Sequence, residues 1–386
     1  MANYFGWLEN PQINFERNFE VMRDFRKGGI NPSMFVDFIK AVKSLPPIND
    51  RTDVDYATLD KQFNLTDISP KDASTIIGEV MRRGIESNKF CWHPQASNTT
   101  CNIDSSGKII VSAAHSIQNN GVLSKIVENG HVMGYDMNKG EFDGKQLGKN
   151  YASIFWGFCN NHDSIFRPIE INPFTGTAEQ NFLFAYRGFV VSSHKKIEVS
   201  SWINFGEQSD KDINENRKIF DSAILANDYS IIETEIFELP AFYPIAVSSS
   251  FFLDFDFEGN AIPHSDERME DIYVTLLPGE KKTYFLLSYF TQDKHLYGNL
   301  GVQLKLRNNL KSDITMLVAA HVENIYFNPT YYETFIAQHE KILKTIFVHS
   351  QMDYATIGDN NELNVEFSMT PSNYLDNPYG INFFGY

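Results

Sequence analysis

From Phe15 to about Leu45 apolar residues recur at three- and four-residue intervals in FERNFEVMRDFRKGGINPSMFVDFIKAVKSL, with Gly28, Gly29 and Pro32 breaking the run. That spacing predicts two helices joined by a turn. After the polar stretch PPINDRTDVD, SPKDASTIIGEVMRRGIE has a proline in its first turn, Asp72 early and Arg82 and Arg83 late. This is the charge order a helix dipole favours, and it predicts a third helix. Between Phe90 and Lys149 the pattern changes to short β-like pieces such as GKIIVSAAHSI, separated by Gly and Asn turns. Helical spacing returns twice after Phe158. The second run continues through NFLFAYRGFVVSSHKK and opens at Thr177, with Gln180 three residues on, a capping-box spacing.

From about Ile231 apolar and polar positions alternate in SIIETEIFEL, FYPIAVSSSFFLDFDF, DIYVTLLPG, KKTYFLLSYF, LGVQLKLR and DITMLVAAHVENIYF, divided by Pro, Gly, Asn and Asp. Such runs predict antiparallel strands in a sandwich or barrel. Pro329 then starts a helix expected near 330–348, and the tail after Ser372 is rich in Asn, Tyr and Gly. The reading is an α+β protein in three parts: a helical region over 1–88, a central module over 89–200, and an acidic β-rich domain over 201–386.

Charge sharpens this division. The chain of 386 residues has a net charge of −16, which argues against nucleic acid as a general partner. Yet residues 81–200 hold 12 Lys and Arg against 10 Asp and Glu, whereas residues 201–386 hold 12 against 27. Nucleic acid is therefore permitted at the central module, and a protein partner or basic ligand at the acidic domain. The opening MANYFGWLENPQINFER has no basic and apolar leader pattern, and no stretch of about eighteen apolar residues follows. A cytoplasmic protein with no membrane partner is expected.

The three cysteines all lie between Cys91 and Cys159. So few, and an odd number, they support no disulfide framework and direct attention to metal or thiolate chemistry. In WGFCNNHD, Cys159 and His162 have the C-x2-H spacing with which one turn at a helix start presents two ligands to one ion. Cys91 and Cys101 complete a Cys3His tetrahedron for Zn2+. Such a closed site is structural, because it leaves no position for water. His93 in CWHP, or His115, is an alternative to Cys101 in that set.

CWHP, SAAHSIQNNGVLSKIVENGHV, ASIFWGFCNNHDSIFRPIE and EQNFLFAYRGF resemble a group of uncharacterised bacterial proteins with a zinc knuckle related to HNH and treble-clef modules. The resemblance covers about 88–195, with a looser one at FLDFDFEGNAI and ENIYFNPTYYE. It implies a nuclease acting on DNA or RNA, suited to phage defence or a mobile element. In that scheme His115 is the general base on water, oriented by Asn119 or Asn129, and Asp163 holds a catalytic Mg2+ or Mn2+. HNH enzymes usually have histidine where this chain has Asp163, and 47 residues separate His115 from His162. The alternative is a non-catalytic interaction protein in which zinc only fastens the middle of the chain.

Other features have plainer readings. Arg187, within an apolar helical run, calls for a carboxylate partner, Glu170 or Asp163, or acts as a phosphate clamp. His131 is read as structural. DFDFEGN imitates the start of an EF-hand loop, but Ser265 stands where the closing Glu belongs, so an acidic turn is expected. Motifs for nucleotide binding, zincin proteolysis and serine hydrolysis are absent.

Overall fold

In a computed structural model the protein is described at Arg82 and over residues 84–136, 141–200, 207–265 and 267–340. Shorter pieces follow at 342–343, 346, 354–357, 363–366, 375, 377 and 380–385. The two helices expected over 15–45, nearly all of the third, and most of the tail lie outside the described residues. The fold is α+β and its main sheet is antiparallel, as expected. No helix among the described residues is long and apolar enough to cross a membrane.

The first strand, β1 (Ser112–His115), pairs antiparallel with β4 (Ile154–Phe158), matching Ser112 to Phe158 and His115 to Ile154. Between them the chain makes an excursion through β2 (His131–Asp136) and β3 (Glu141–Gly148). After β4 come a short helix α1 (Asn160–Asp163), then α2 (Ala178–Ser200) and α3 (Glu207–Ala226). The chain continues through β5 (Ile232–Leu239), β6 (Ile245–Phe251), β7 (Ile272–Pro278) and β8 (Thr283–Phe290). Helices α4 (Leu300–Leu306) and α5 (Leu310–His321), strand β9 (Ile325–Phe327) and helix α6 (Pro329–Phe335) follow.

Seven strands form one sheet in the order β3-β2-β9-β6-β7-β8-β5, every neighbouring pair antiparallel. The segments read as 89–200 and 201–386 thus contribute strands to the same sheet. All of β7 is buried, which fits a strand covered on both faces. Side chains alternate across the sheet. Val274, Leu276, Phe285 and Leu287 pack with Leu300, Leu304, Ile314 and Leu317 of α4 and α5. Tyr273, Leu277, Leu286 and Phe290 pack with Phe182, Tyr186, Phe189 and Phe220 of α2 and α3. The result is a sheet between two helical layers.

That arrangement corrects the expectation of a β-sandwich or barrel, and with it the reading of LGVQLKLR and of DITMLVAAH as strands. Both are helical. In α4 the residues buried are Leu300, Gly301, Gln303 and Leu304, a helical set, while Val302 and Leu306 are exposed at 52% and 68%. Those two exposed residues created the false alternation. In α5 every residue from Asp313 to Ala320 is buried, and a short apolar run does not reveal its period. The helix from Pro329 forms as expected, with the Asn328 side chain accepting from Tyr331 N at 2.9 Å; it breaks after Phe335 into a tighter turn over Ala337–His339, and helical residues return at 340, 342, 343 and 346.

Helix α2 crosses the sheet at Gly188. A Cβ there would lie 2.8 Å from the Ser249 carbonyl oxygen in β6, so only glycine permits this approach. Beside it Ser250 N donates to Ser192 Oγ at 3.0 Å. At its other end α2 begins after Thr177, whose Oγ1 accepts from Gln180 N at 3.2 Å. The Gln180 side chain, itself buried, reaches past Thr177 to accept from Thr175 N at 2.8 Å, so the box is only half closed.

Candidate metal centre

Strand β4 delivers the chain to Cys159, which is extended (φ −78°, ψ 158°) and begins α1, its carbonyl accepting from Asp163 N at 2.9 Å. Within that single turn Cys159 and His162 face the same way. The other wall is the loop Cys91–Cys101. Its start is fixed where Trp92 N donates to the Gly157 carbonyl at 2.9 Å, and its end where Cys101 N donates to the Ser97 carbonyl at 2.9 Å. Asn161 Nδ2 ties loop to helix by donating to the Thr100 carbonyl at 2.9 Å.

Four ligand atoms meet there. The thiols of Cys91, Cys101 and Cys159 and one ring nitrogen of His162 lie within 4.8 Å of one another, and all four residues are buried. His162 Nδ1 stands 3.5, 3.4 and 3.3 Å from the sulfurs of Cys91, Cys101 and Cys159. A tetrahedral zinc with Zn–S near 2.3 Å and Zn–N near 2.05 Å requires sulfur–nitrogen edges of about 3.5 Å. The site is that size. The thiols are otherwise badly served: burial pushes Cys91 up to about 12 and also raises Cys101. At Cys159 burial acts in the same direction. It is outweighed by backbone hydrogen bonds from His162, Asn102 and Asn161 and by the Cys101 side chain, so this thiol is lowered. A divalent cation would supply the positive charge that three crowded sulfurs lack.

His93 is not among the four. Its ring stacks on that of His162, centroids 4.1 Å apart and 10° from parallel, and its Nδ1 accepts from Gln95 N at 3.2 Å. Trp92, fully buried, anchors the loop to α2 by donating from Nε1 to His194 Nδ1 at 3.0 Å. His194 Nε2 in turn lies 3.2 Å from Glu198 Oε1. The Arg217 guanidinium of α3 covers the Trp92 ring at 4.8 Å. The sequence reading missed this Trp92–His194–Glu198 chain. Its one signal was a tryptophan beside a ligand cysteine.

His115 also stands outside the ligand group. It sits at the end of β1, half-buried, with Nδ1 3.1 Å from the Ala152 carbonyl and from Ser153 Oγ. Asn119 Nδ2 meets its Nε2 at 3.3 Å and donates to Asn150 Oδ1 at 3.1 Å. Asn129 instead turns the chain at φ 50°, and its carbonyl pairs with the exposed His131 at 2.8 Å. Burial lowers the His115 pKa, which keeps the ring neutral. The Ala152 carbonyl opposes the shift, and the charges of Arg187 and Glu170 are felt there too.

Asp163 is half-buried, its carboxyl raised by burial, lowered by Arg187 and raised by Glu170. Arg187, 3% exposed, pairs with Glu170 at 2.6 Å and lies over the Phe166 ring at 4.1 Å, so the plain reading of this arginine is the one realised. Neither Asp163 nor Glu170 belongs to a group of three ligating side chains among the described residues. The DFDFEGN segment is an acidic turn, with Asp256 Oδ1 accepting from Glu258 N and Asn260 N at 2.9 and 2.8 Å.

Comparison with known protein families, with characterised proteins and with solved structures finds no match for this chain.

Proposed function

We propose that this is a zinc protein whose ion is structural, a rivet that holds the Cys91–Cys101 loop against β4 and α1. The observation that carries this reading is the convergence of three buried sulfurs and His162 Nδ1 at tetrahedral spacing. With four protein ligands the centre is closed, so the zinc stabilises the fold and does not touch substrate. The order of parts, a loop with two ligands, an antiparallel strand pair, then a helix whose first turn brings two more, supports the treble-clef resemblance. X-ray absorption at the zinc edge should report three sulfur neighbours and one nitrogen, with one zinc per chain that Cys159→Ser loses. A chain free of zinc, or zinc bound equally by Cys159→Ser, ends the proposal.

A second reading, a nuclease acting on DNA or RNA, is favoured by one observation: the setting of His115. A strand-end imidazole, neutral and held at Nδ1 by a backbone carbonyl, offers Nε2 as an acceptor, where a substrate water would have to displace the Asn119 Nδ2 that meets it at 3.3 Å. Here Asn119 orients the ring, and the locked β1–β4–α1 unit holds it in place. The test is cleavage of single- and double-stranded DNA and RNA in magnesium or manganese. His115→Ala should abolish it with zinc content unchanged. No cleavage by the parent protein leaves the structural-zinc reading standing alone, with the acidic half free to serve a protein partner or ligand.

A further inference from the structure

Residues 380–385 belong to no strand or helix, yet they are sunk in the main core. Ile381, Phe383 and Phe384 are 0%, 3% and 2% exposed. The walls around them come from another stretch of chain. Phe327 of β9 meets the Phe383 ring edge-on at 5.4 Å, and Tyr243, just before β6, meets Phe384 the same way at 5.0 Å. Phe383 N donates to Thr315 Oγ1 of α5 at 3.1 Å, and Tyr331 Oη of α6 donates to the Phe383 carbonyl at 2.8 Å. A groove made by residues 243–335 thus holds a segment that follows it in the chain by about 45 residues.

The segment shapes itself. The Asn377 side chain accepts from Ile381 N at 3.0 Å and donates to the Ile381 carbonyl at 2.6 Å, and Asn382 Oδ1 accepts from Phe384 N at 2.9 Å. Gly380 and Gly385 supply left-handed turns, with φ of 64° and 67°. The result is a braced turn with two adjacent rings, one seated on Phe327 and one on Tyr243, and among the described residues no strand pairing welds it to the sheet. Two buried aromatic anchors on a preshaped turn are the means by which a peptide ligand holds a pocket, with little ordering left to do at contact.

We infer that the groove is a docking site for this segment in trans: from a second copy of the chain it takes the same residues 380–385 that it holds here in cis. Every contact of the exchanged form is one already made in cis, so no new complementarity is required. The connection permits the exchange. Residues 347–374 separate Ile346 from Leu375, and a chain of that length can span up to about 100 Å, enough to reach a neighbouring molecule. Charge permits it too, because residues 377–385 carry no charged side chain and bring no repulsion of their own to a chain of net charge −16.

A synthetic peptide of residues 372–386 is the probe for the second copy's segment. A protease site placed after Pro371 lets the folded full chain be cut and its own segment dialysed away. The cut protein should keep a cooperative melting transition and bind the fluorescently labelled peptide with a Kd below about 10 μM by anisotropy. Phe383→Ala in the peptide should weaken binding at least about thirtyfold. Uncut parent, its groove already filled, should bind the peptide at least about tenfold more weakly than the cut protein. Tagged and untagged intact chains, warmed together to just below melting and cooled, should co-purify as a dimer. The inference is overturned if the cut protein stays folded but ignores the peptide up to about 100 μM, if it unfolds once its segment is gone, if cut and uncut proteins bind equally, or if the intact chains never pair.

Discussion

If the Cys3His cluster holds zinc as proposed, removing the ion should loosen one loop strongly and the whole molecule measurably. Zinc held about a thousandfold above its Kd contributes about 4.1 kcal/mol to the folded state. Unfolding entropy of about 2.1 cal/mol/K per residue over roughly 300 cooperative residues is about 0.6 kcal/mol/K, so a strong chelator should lower the melting temperature by about 6–7 °C. The local effect follows from the remaining anchors. Trp92 N to Gly157 and Trp92 Nε1 to His194 hold the start of the loop without the ion, whereas its end is tied to α1 by the bond from Asn161 to Thr100 and otherwise by bonds within the loop, such as Cys101 N to Ser97. Hydrogen exchange after chelation should therefore accelerate at Thr100 and Cys101 and stay slow near Phe189 in α2. Scanning calorimetry and exchange mass spectrometry, with and without chelator, measure both. An unchanged melting temperature, or equal protection of Cys101 in the two states, refutes the argument.

If His115 is a base, its lowered pKa fixes the sign of a pH profile: the active form is neutral, so cleavage rises with pH with its midpoint below the ordinary value near 6.5 and is lost on acidification. A midpoint above 6.5 contradicts that role. Gly188→Ala forces α2 away from β6 against the Ser249 carbonyl and should cost about 1–3 kcal/mol by denaturant titration. Phe220→Ala removes a fully buried ring that lies 4.8 to 5.6 Å from those of Phe290, Phe189, Tyr186, Tyr273 and Phe182, and should cost about 3–5 kcal/mol.

The cluster of Cys91, Cys101, Cys159 and His162 was legible because cysteine is scarce here and Cys159 and His162 sit one helical turn apart. The partner of Arg187 was legible for a similar reason, since a guanidinium in an apolar run requires a carboxylate. Strand β5 was legible from alternation, and β7 and β8 as short runs of β-branched and aromatic residues bounded by turn residues. What misled was α4, where Val302 and Leu306 point to solvent and mimic a strand, and α5, where burial on all sides erases the period. Illegible altogether were the meetings of distant residues: Trp92 with His194, Arg268 with Asp293, and β2 with β9. Each depends on packing that no local pattern encodes.

That last pairing sets a schedule for the molecule's assembly. Gly134 in β2 finds its partner Tyr326 in β9 only after about 190 further residues have been made, and among the described residues β9 alone joins β2 to β6 and the strands beyond it. At about 5–20 residues per second, translation leaves that border of β2 unpaired for roughly 10–40 s. The β1–β4 unit, with the Cys91, Cys101, Cys159 and His162 cluster, is complete by residue 163 and can close long before, so the nascent chain carries a finished knot beside a raw strand, the place where overproduction should first cause aggregation.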